Sequence, residues 1–389
     1  MKKRKLDTLC VHEGQLKDLE HKGSVSPLYM ATAYAFDDVE VKRYPRYFNT
    51  PNQVGLAKKI AALEGAEQGL IFGSGMAAVS TALLSHLRSG DHVVLQGDLY
   101  GGTTNLIVEE FKKFGIAYSF SKGILASDLE AFIKPNTKVI YIETPSNPLM
   151  KIVDLEAVAS MAKQRGIISM IDNTFASPVN QNPIAFGIDL VIHSATKYLG
   201  GHSDILAGTV VGSEKQIDVV FQMAKNLGGS LSDYTVWLLE RSIKTLSIRV
   251  RAQNDNAMAL AIFLNEKPSI DLVYYPGLTS HPDHELAKRQ MHGFGGMLSF
   301  ELNTSYDIDV FQKKLNLIRP AMSLAGVEST LTIPTKTSHA LLTPEDRVLQ
   351  GIKDNLIRFS TGIEDLEDFK DDINELEKML NINLKKWKL

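Results

Sequence analysis

Four places in the chain put a chemically versatile side chain directly after or within an apolar run, where a strand is expected. In Leu190-Val191-Ile192-His193-Ser194-Ala195-Thr196-Lys197-Tyr198-Leu199-Gly200-Gly201-His202, a lysine follows a strand-like run and two hydroxyls and precedes paired glycines. An amine held in partly apolar surroundings loses charge stabilisation and becomes a nucleophile. The run Ile167-Ile168-Ser169-Met170-Ile171-Asp172 ends on a carboxylate at a strand's carboxyl end, where a ligand could meet it, although such an Asp standing alone reads as a capping or turn residue. In Ile71-Phe72-Gly73-Ser74-Gly75-Met76-Ala77-Ala78, a strand enters a glycine turn and then a helix. Free N–H groups and the helix dipole at such a start favour an anion. The same string satisfies G-x-G-x-x-A, and Asp98 closes another strand, so a nicotinamide dinucleotide (NAD) dehydrogenase is the alternative from a different class. Arg358 lies inside the apolar run Leu356-Ile357-Arg358-Phe359 and calls for an anion, either a substrate carboxylate or a structural acid. His281-Pro282-Asp283-His284 has the spacing of a metal pair, but the proline breaks a helix face and no ligand cluster accompanies it, so no metal site is expected.

Such residues need a scaffold that gathers strand ends, and the chain supplies the pattern of one. From about residue 54, short apolar or β-branched runs alternate with stretches of helical period, which is the signature of an α/β fold with a mainly parallel sheet. Expected strands are 70–73, 92–96, 117–120, 139–143, 167–171, 190–193 and 207–211, with 297–302 and 356–360 later. Between 154 and 165, Asp154 can cap a helix whose apolar face is Leu155, Val158, Ala159 and Ala162, and Gly166 stops it. A long helix is expected from Ser232 to Asn265, and another from Asp365 to Leu380. The domains expected are an extended arm over 1–48, a large sheet domain over 49–231 and a smaller α/β domain over 232–389, entered through the long helix.

Composition removes several function classes. The 389 residues are 44% hydrophobic and 22% charged, enough for a sizeable core. Lys plus Arg number 42 against 45 for Asp plus Glu, a net charge of −3, so no nucleic acid partner is expected. No apolar run is long enough for a membrane helix. Met1-Lys2-Lys3-Arg4-Lys5 lacks a following apolar stretch and reads as an exposed tail rather than a leader. One cysteine, Cys10, rules out an internal disulfide and fits a reducing, cytoplasmic setting, where it is expected to be inert.

Nearly the whole chain resembles the pyridoxal-phosphate enzymes of cysteine and methionine metabolism, the transsulfuration group of cystathionine lyases and synthases. The segment from Asp189 to Asp204, centred on Ser194-Ala195-Thr196-Lys197, carries the most specific likeness. Ser74 to Ala78, Asp98 to Thr103, Glu143 to Pro148, Tyr274 to Pro282 and Asn355 to Ser360 add to it. The resemblance implies a fold-type I transferase and pyridoxal 5′-phosphate as cofactor. It implies that Lys197 holds the cofactor covalently and then acts as base, and that Gly75, Met76, Ser194 and Thr196 hold its phosphate. Asp172 would pair with the ring nitrogen and Tyr100 would stack on the ring and assist proton transfer to sulfur. Arg358, Asn147 and Ser323 would receive the carboxylate of a sulfur-containing amino acid. Tyr44 and Arg46 would reach the phosphate of a neighbouring subunit, implying a catalytic homodimer and a homotetramer. Here Asn49-Thr50-Pro51 departs from the family's Asn-Pro-Thr, so the backbone after Arg46 is expected to differ.

Relatives share this machinery, so substrate choice rests on few positions. Met322 stands where members acting at the γ carbon of cystathionine often have glutamate, and Gly102 where methionine γ-lyases have cysteine. Trp237 and Thr337-Ser338-His339-Ala340 look like β-lyases, whereas Phe294 to Phe300 and Asn355 to Asp365 look like γ-synthases. The first reading is a carbon–sulfur lyase that cleaves cystathionine by β-elimination to homocysteine, pyruvate and ammonia. Cystathionine γ-lyase or γ-synthase, then methionine γ-lyase, are the alternatives, along with a relative that binds cofactor without catalysis.

Overall fold

The computed structural model describes residues 4–340 and 342–375, which form two compact units. Among the described residues the first comprises 4–145 and 153–247, the second 146–152, 248–340 and 342–375.

The first unit is built on a seven-stranded sheet: β1 (Gln68–Phe72), β2 (His92–Leu95), β3 (Ala117–Phe120), β4 (Thr137–Glu143), β5 (Ile168–Asp172), β6 (Leu190–His193) and β7 (Gly208–Gly212). Their order is β1-β7-β6-β5-β4-β2-β3. All pairs are parallel except those of β7, which runs antiparallel to both β1 and β6. Central strands such as β6 are buried at every position, which is why they read as unbroken apolar runs rather than alternating ones. Each expected strand of this sheet is present within two residues. The helix Gly75–His86 packs its Ala78, Val79, Ala82 and Leu83 into a core shared with Val93, Leu95, Val139 and Ile192. Helix Leu155–Gln164 starts where the cap was expected, with Asp154 accepting from the Ala157 N–H at 2.9 Å.

Two elements differ from expectation. The stretch 232–265 is two helices, Asp233–Ile243 and Leu246–Asn265. The break comes at Lys244-Thr245, where the Thr245 hydroxyl donates to the Ser242 carbonyl at 3.2 Å and competes with the helix for its backbone. The amino-terminal arm is not wholly extended either. It contains a helix, Leu6–His12, whose Cys10 is fully buried while the ammonium of Lys59 donates to the Cys10 carbonyl at 2.8 Å. Burial pushes the Cys10 thiol upward, away from the reactive thiolate.

The second unit has a five-stranded sheet of β8 (Ile270–Tyr274), β9 (Met297–Leu302), β10 (Arg319–Pro320), β11 (Thr330–Thr332) and β12 (Leu356–Ser360), ordered β10-β11-β12-β9-β8. It is antiparallel apart from the short β10–β11 pair. Phe300, Phe311, Phe359 and Phe369 centre its core. A helix spans 366–375; the part expected to continue to Leu380 lies outside the described residues, as does the start of the basic tail. No helix among the described residues is long and apolar enough to cross a membrane.

Candidate active site

In the first unit, the carboxyl ends of adjacent strands β5 and β6 bring together residues that the sequence separates. Asp172 ends β5 opposite Ile192 of β6, one residue before His193 and five before Lys197. Asp172 Oδ1 accepts from the Thr174 N–H at 3.0 Å, and the Thr174 hydroxyl in turn accepts from the Ser194 N–H at 2.8 Å. The Ser194 carbonyl accepts from the Lys197 N–H at 3.0 Å, so one short chain of bonds links the carboxylate to the turn that carries the amine. Burial pushes the Asp172 carboxyl above its ordinary range, while hydrogen bonds from Thr174 and the charge of His193 act in the other direction.

The lysine turn is fastened along its length. Thr196 exchanges two bonds with Ala207, its hydroxyl donating to the Ala207 carbonyl at 3.2 Å and accepting from the Ala207 N–H at 3.1 Å. The Gly200 N–H donates to the Ala195 carbonyl and the Gly201 N–H to the Lys197 carbonyl, at 2.8 and 2.7 Å. Lys197 itself is half-buried.

The glycine turn meets the same place. Ser74 caps the helix Gly75–His86, its hydroxyl accepting from the Ala77 N–H at 3.0 Å. A Cβ at Gly75 would lie 2.8 Å from the Cβ of Ser194, and one at Gly208 would lie 2.1 Å from the Ser74 carbonyl. Only glycine permits this approach, which sets the first helical N–H groups beside the Ser194 side chain. Tyr100 precedes the helix Gly101–Glu110, and its N–H donates to the buried Glu143 carboxylate at 2.8 Å. A Cβ at Gly102 would strike the Tyr100 ring at 2.5 Å and the Met76 sulfur at 3.2 Å, so ring and thioether flank that glycine. Asp98, the acid of the dinucleotide alternative, accepts from the Gln96 side chain at 2.8 Å.

Tyr44 and Arg46 lie on the exposed arm. The guanidinium of Arg46 lies against both Tyr44 and Tyr47, 5.6 and 5.1 Å from their centroids, and donates to the Lys225 carbonyl. The Asn49-Thr50-Pro51 departure has a local reason. Thr50 forms a capping box with Gln53, and Pro51 occupies the first turn of helix Pro51–Glu64, where no intrahelical bond needs its missing N–H.

The second unit brings together Arg358 and Asn147. Arg358, 4% exposed on β12, donates to the Asn147 side-chain oxygen at 3.0 Å. The Asn147 segment is held by Ser299 of β9, whose hydroxyl donates to the Pro148 carbonyl at 2.7 Å. The backbone carbonyl of Ser323 accepts from the Thr330 hydroxyl at 3.4 Å, and neighbouring Met322 is 78% exposed.

Sequence reading missed the supports: Thr174, which bridges Asp172 to Ser194, Glu143 beneath Tyr100, and a buried cluster of Glu64, Asn173, Gln181 and His193. The one signal for the cluster was an acid at the last position of a helix, before Gly65, where the dipole disfavours negative charge.

Among known proteins, residues 7–376 match a family model described as Cys/Met metabolism PLP-dependent enzyme. The chain is 43% identical over 379 residues to "Cystathionine gamma-lyase" of Bacillus subtilis (strain 168), covering 96% of this chain and 99% of that protein. It is likewise 43% identical over 378 residues to "Cystathionine beta-lyase" of Lactococcus lactis subsp. cremoris (strain MG1363), with 96% and 99% covered. The solved structure of cystathionine gamma-lyase from Lactobacillus plantarum complexed with L-serine superposes with a TM-score of 0.93 at 36% identity, covering 97% of this chain and 100% of that one.

Proposed function

Because the chain belongs to the Cys/Met-metabolism family of pyridoxal-phosphate-dependent enzymes, and so uses pyridoxal 5′-phosphate, we propose that it is a carbon–sulfur lyase that cleaves cystathionine by β-elimination. Its products are then homocysteine, pyruvate and ammonia. The family match also displaces the nicotinamide dehydrogenase reading of Gly73, Gly75 and Asp98.

The residues fit the cofactor. The close approach that Gly75 permits, with the first helical N–H groups beside the Ser194 side chain, suits a phosphate, which Gly75, Met76, Ser194 and Thr196 would hold. Asp172 is a buried acceptor suited to a protonated ring nitrogen, and Lys197 supplies the amine for the covalent tether. When bound, the cofactor supplies an electron sink that acidifies the substrate Cα–H. Lys197 would serve as the base that takes the substrate Cα proton. Tyr100, its backbone braced by Glu143, would flank the cofactor and deliver a proton to the departing sulfur. Arg358 and Asn147, with the Ser323 segment, orient the substrate carboxylate.

The observation that carries this reading is the bond chain from Asp172 through Thr174 and Ser194 to the Lys197 turn, because the chemistry needs an acid and an amine at two ends of one ring. The choice of β-elimination rests on Met322, which offers no carboxylate to a distal substrate amine.

A catalytic homodimer, paired into a tetramer in the cytoplasm, completes the proposal. Exposed apolar side chains on the arm support it, with Leu19, Met30 and Phe36 at 73, 69 and 74% exposure. Tyr44 and Arg46 on the same arm then serve the phosphate of the neighbouring copy.

Borohydride reduction of the purified protein followed by peptide mapping tests the tether. The mass increment is expected on Lys197, and a label on another lysine overturns the reading. With cystathionine as substrate, pyruvate and homocysteine are expected; 2-oxobutyrate and cysteine would move the assignment to γ-elimination.

A further inference from the structure

Behind Asp172 lies a group of buried polar side chains that the catalytic reading leaves unused. Glu64 is 1% exposed and ends the helix Pro51–Glu64, where free carbonyls and the dipole repel a carboxylate. Burying an acid there is unfavourable unless strong donors meet it. Three do: His193 Nε2 at 2.5 Å and Asn173 Nδ2 at 2.9 Å on Oε1, and Asn182 Nδ2 at 3.3 Å on Oε2. A carboxylate only accepts, so His193 carries its proton on Nε2. Asn173 follows Asp172 directly, and its N–H donates to the Ile192 carbonyl at 2.9 Å. Gln181 locks the Asn173 amide by donating to its oxygen at 2.9 Å and to the Thr144 carbonyl at 3.1 Å. Asn173, just past the strand that Asp172 ends, and the histidine that ends β6 are thus tied to one carboxylate on a helix.

We propose that Glu64 is a positioning residue for the cofactor's ring nitrogen: through His193 and Asn173 it fixes the place and the charge of Asp172. The inference rests on the assignment of Asp172 to that nitrogen. The groups around Asp172 are Thr174 in the turn just after its strand, His193 on β6, and on β4 Tyr141 and the register partner Glu143. Of these, the hydrogen bonds from Thr174 and the charge of His193 favour ionisation of Asp172. The bond from Glu64 holds the imidazole where that charge acts. A protonated imidazole behind Asp172 would drive a proton held between the carboxylate and a ring nitrogen toward the nitrogen, because there it would lie farther from His193.

The test uses the holoenzyme and two variants, Glu64→Gln, which keeps the shape and removes the charge, and His193→Asn, which keeps Glu64 and removes its imidazole. Cofactor affinity and the pH titration of the bound cofactor's visible band are measured, along with the melting temperature of the cofactor-free proteins. Loss of one favourable charge near a buried carboxylate moves its titration by about one unit or more, equivalent to about tenfold in its ionised fraction. Both variants are therefore expected to bind the cofactor about tenfold more weakly and to shift the midpoint of the visible band. Asn182→Ala, which removes the bond to Oε2 together with those to the Leu63 and Pro178 carbonyls but leaves both bonds to Oε1, is expected to leave the band unchanged. A variant that melts earlier but binds the cofactor and titrates like the parent overturns the proposal and leaves Glu64 a purely structural acid. If one variant fails to fold, the other decides. A parent protein with no reducible adduct at Lys197 instead removes the reading of the site beneath it.

Discussion

Arg358 shows how one residue can be legible by type and yet need the structure for its meaning. An arginine in an apolar strand announces an anion, and the fold adds that Asn147 takes one of its N–H groups at 3.0 Å, which aims the fork. Replacing Arg358 by lysine keeps the charge and loses the paired geometry. Charge-assisted bonds of this kind contribute about 1.5–3 kcal/mol, so kcat/KM should fall by about 10- to 100-fold, mainly through KM. Unchanged kinetics in Arg358→Lys would assign the guanidinium to structure alone. Lys197, Asp172 and Gly75 were legible because each follows an apolar run whose type was plain. Glu64 was not, because its partner His193 lies 129 residues away and nothing local marks the pair.

At the scale of elements, β2 is bolted between its neighbours by a buried histidine. His92 Nδ1 meets the Thr137 hydroxyl of β4 at 2.8 Å and Nε2 the Ser119 hydroxyl of β3 at 3.0 Å. Burial, and then the charge of Lys134, lowers its pKa from 6.5 to about 4. Between those values the unfolded chain binds the proton and the folded one refuses it, so stability falls as pH drops from 6.5 to about 4, and no further loss from this group follows below that. In denaturant titrations across that window His92→Asn should show a shallower decline than the parent; parallel declines would reject the account. The parallel strands themselves were readable, since two-sided burial makes them solidly apolar. The break at Lys244-Thr245 was not, because no Gly or Pro marks it and the cause is a threonine hydroxyl turning back on its own helix.

At the scale of the whole molecule, the chain passes between the two units at 145/146, 152/153 and 247/248. The excursion 146–152 brings the second unit Asn147 for Arg358, the Pro148 carbonyl for Ser299 and the Ile152 N–H for Asp283. A fragment beginning at 248 lacks all three, so it is expected to melt less cooperatively than the same fragment supplied with the 146–152 segment through a flexible linker. Equal melting of the two, followed by circular dichroism, would make the excursion dispensable. No composition shift marks these crossings, which is why an expected boundary at 231/232 and the observed division at 247/248 differ. The direction of β7 carries a last consequence. By returning beside β6, it lets residues 194–207 leave and rejoin the sheet on neighbouring rails, with Thr196 stitched to Ala207 near both feet. The backbone under residue 197 then has little travel of its own, so the working radius of the amine is set by the four methylenes of its side chain, a fixed leash rather than a swinging arm.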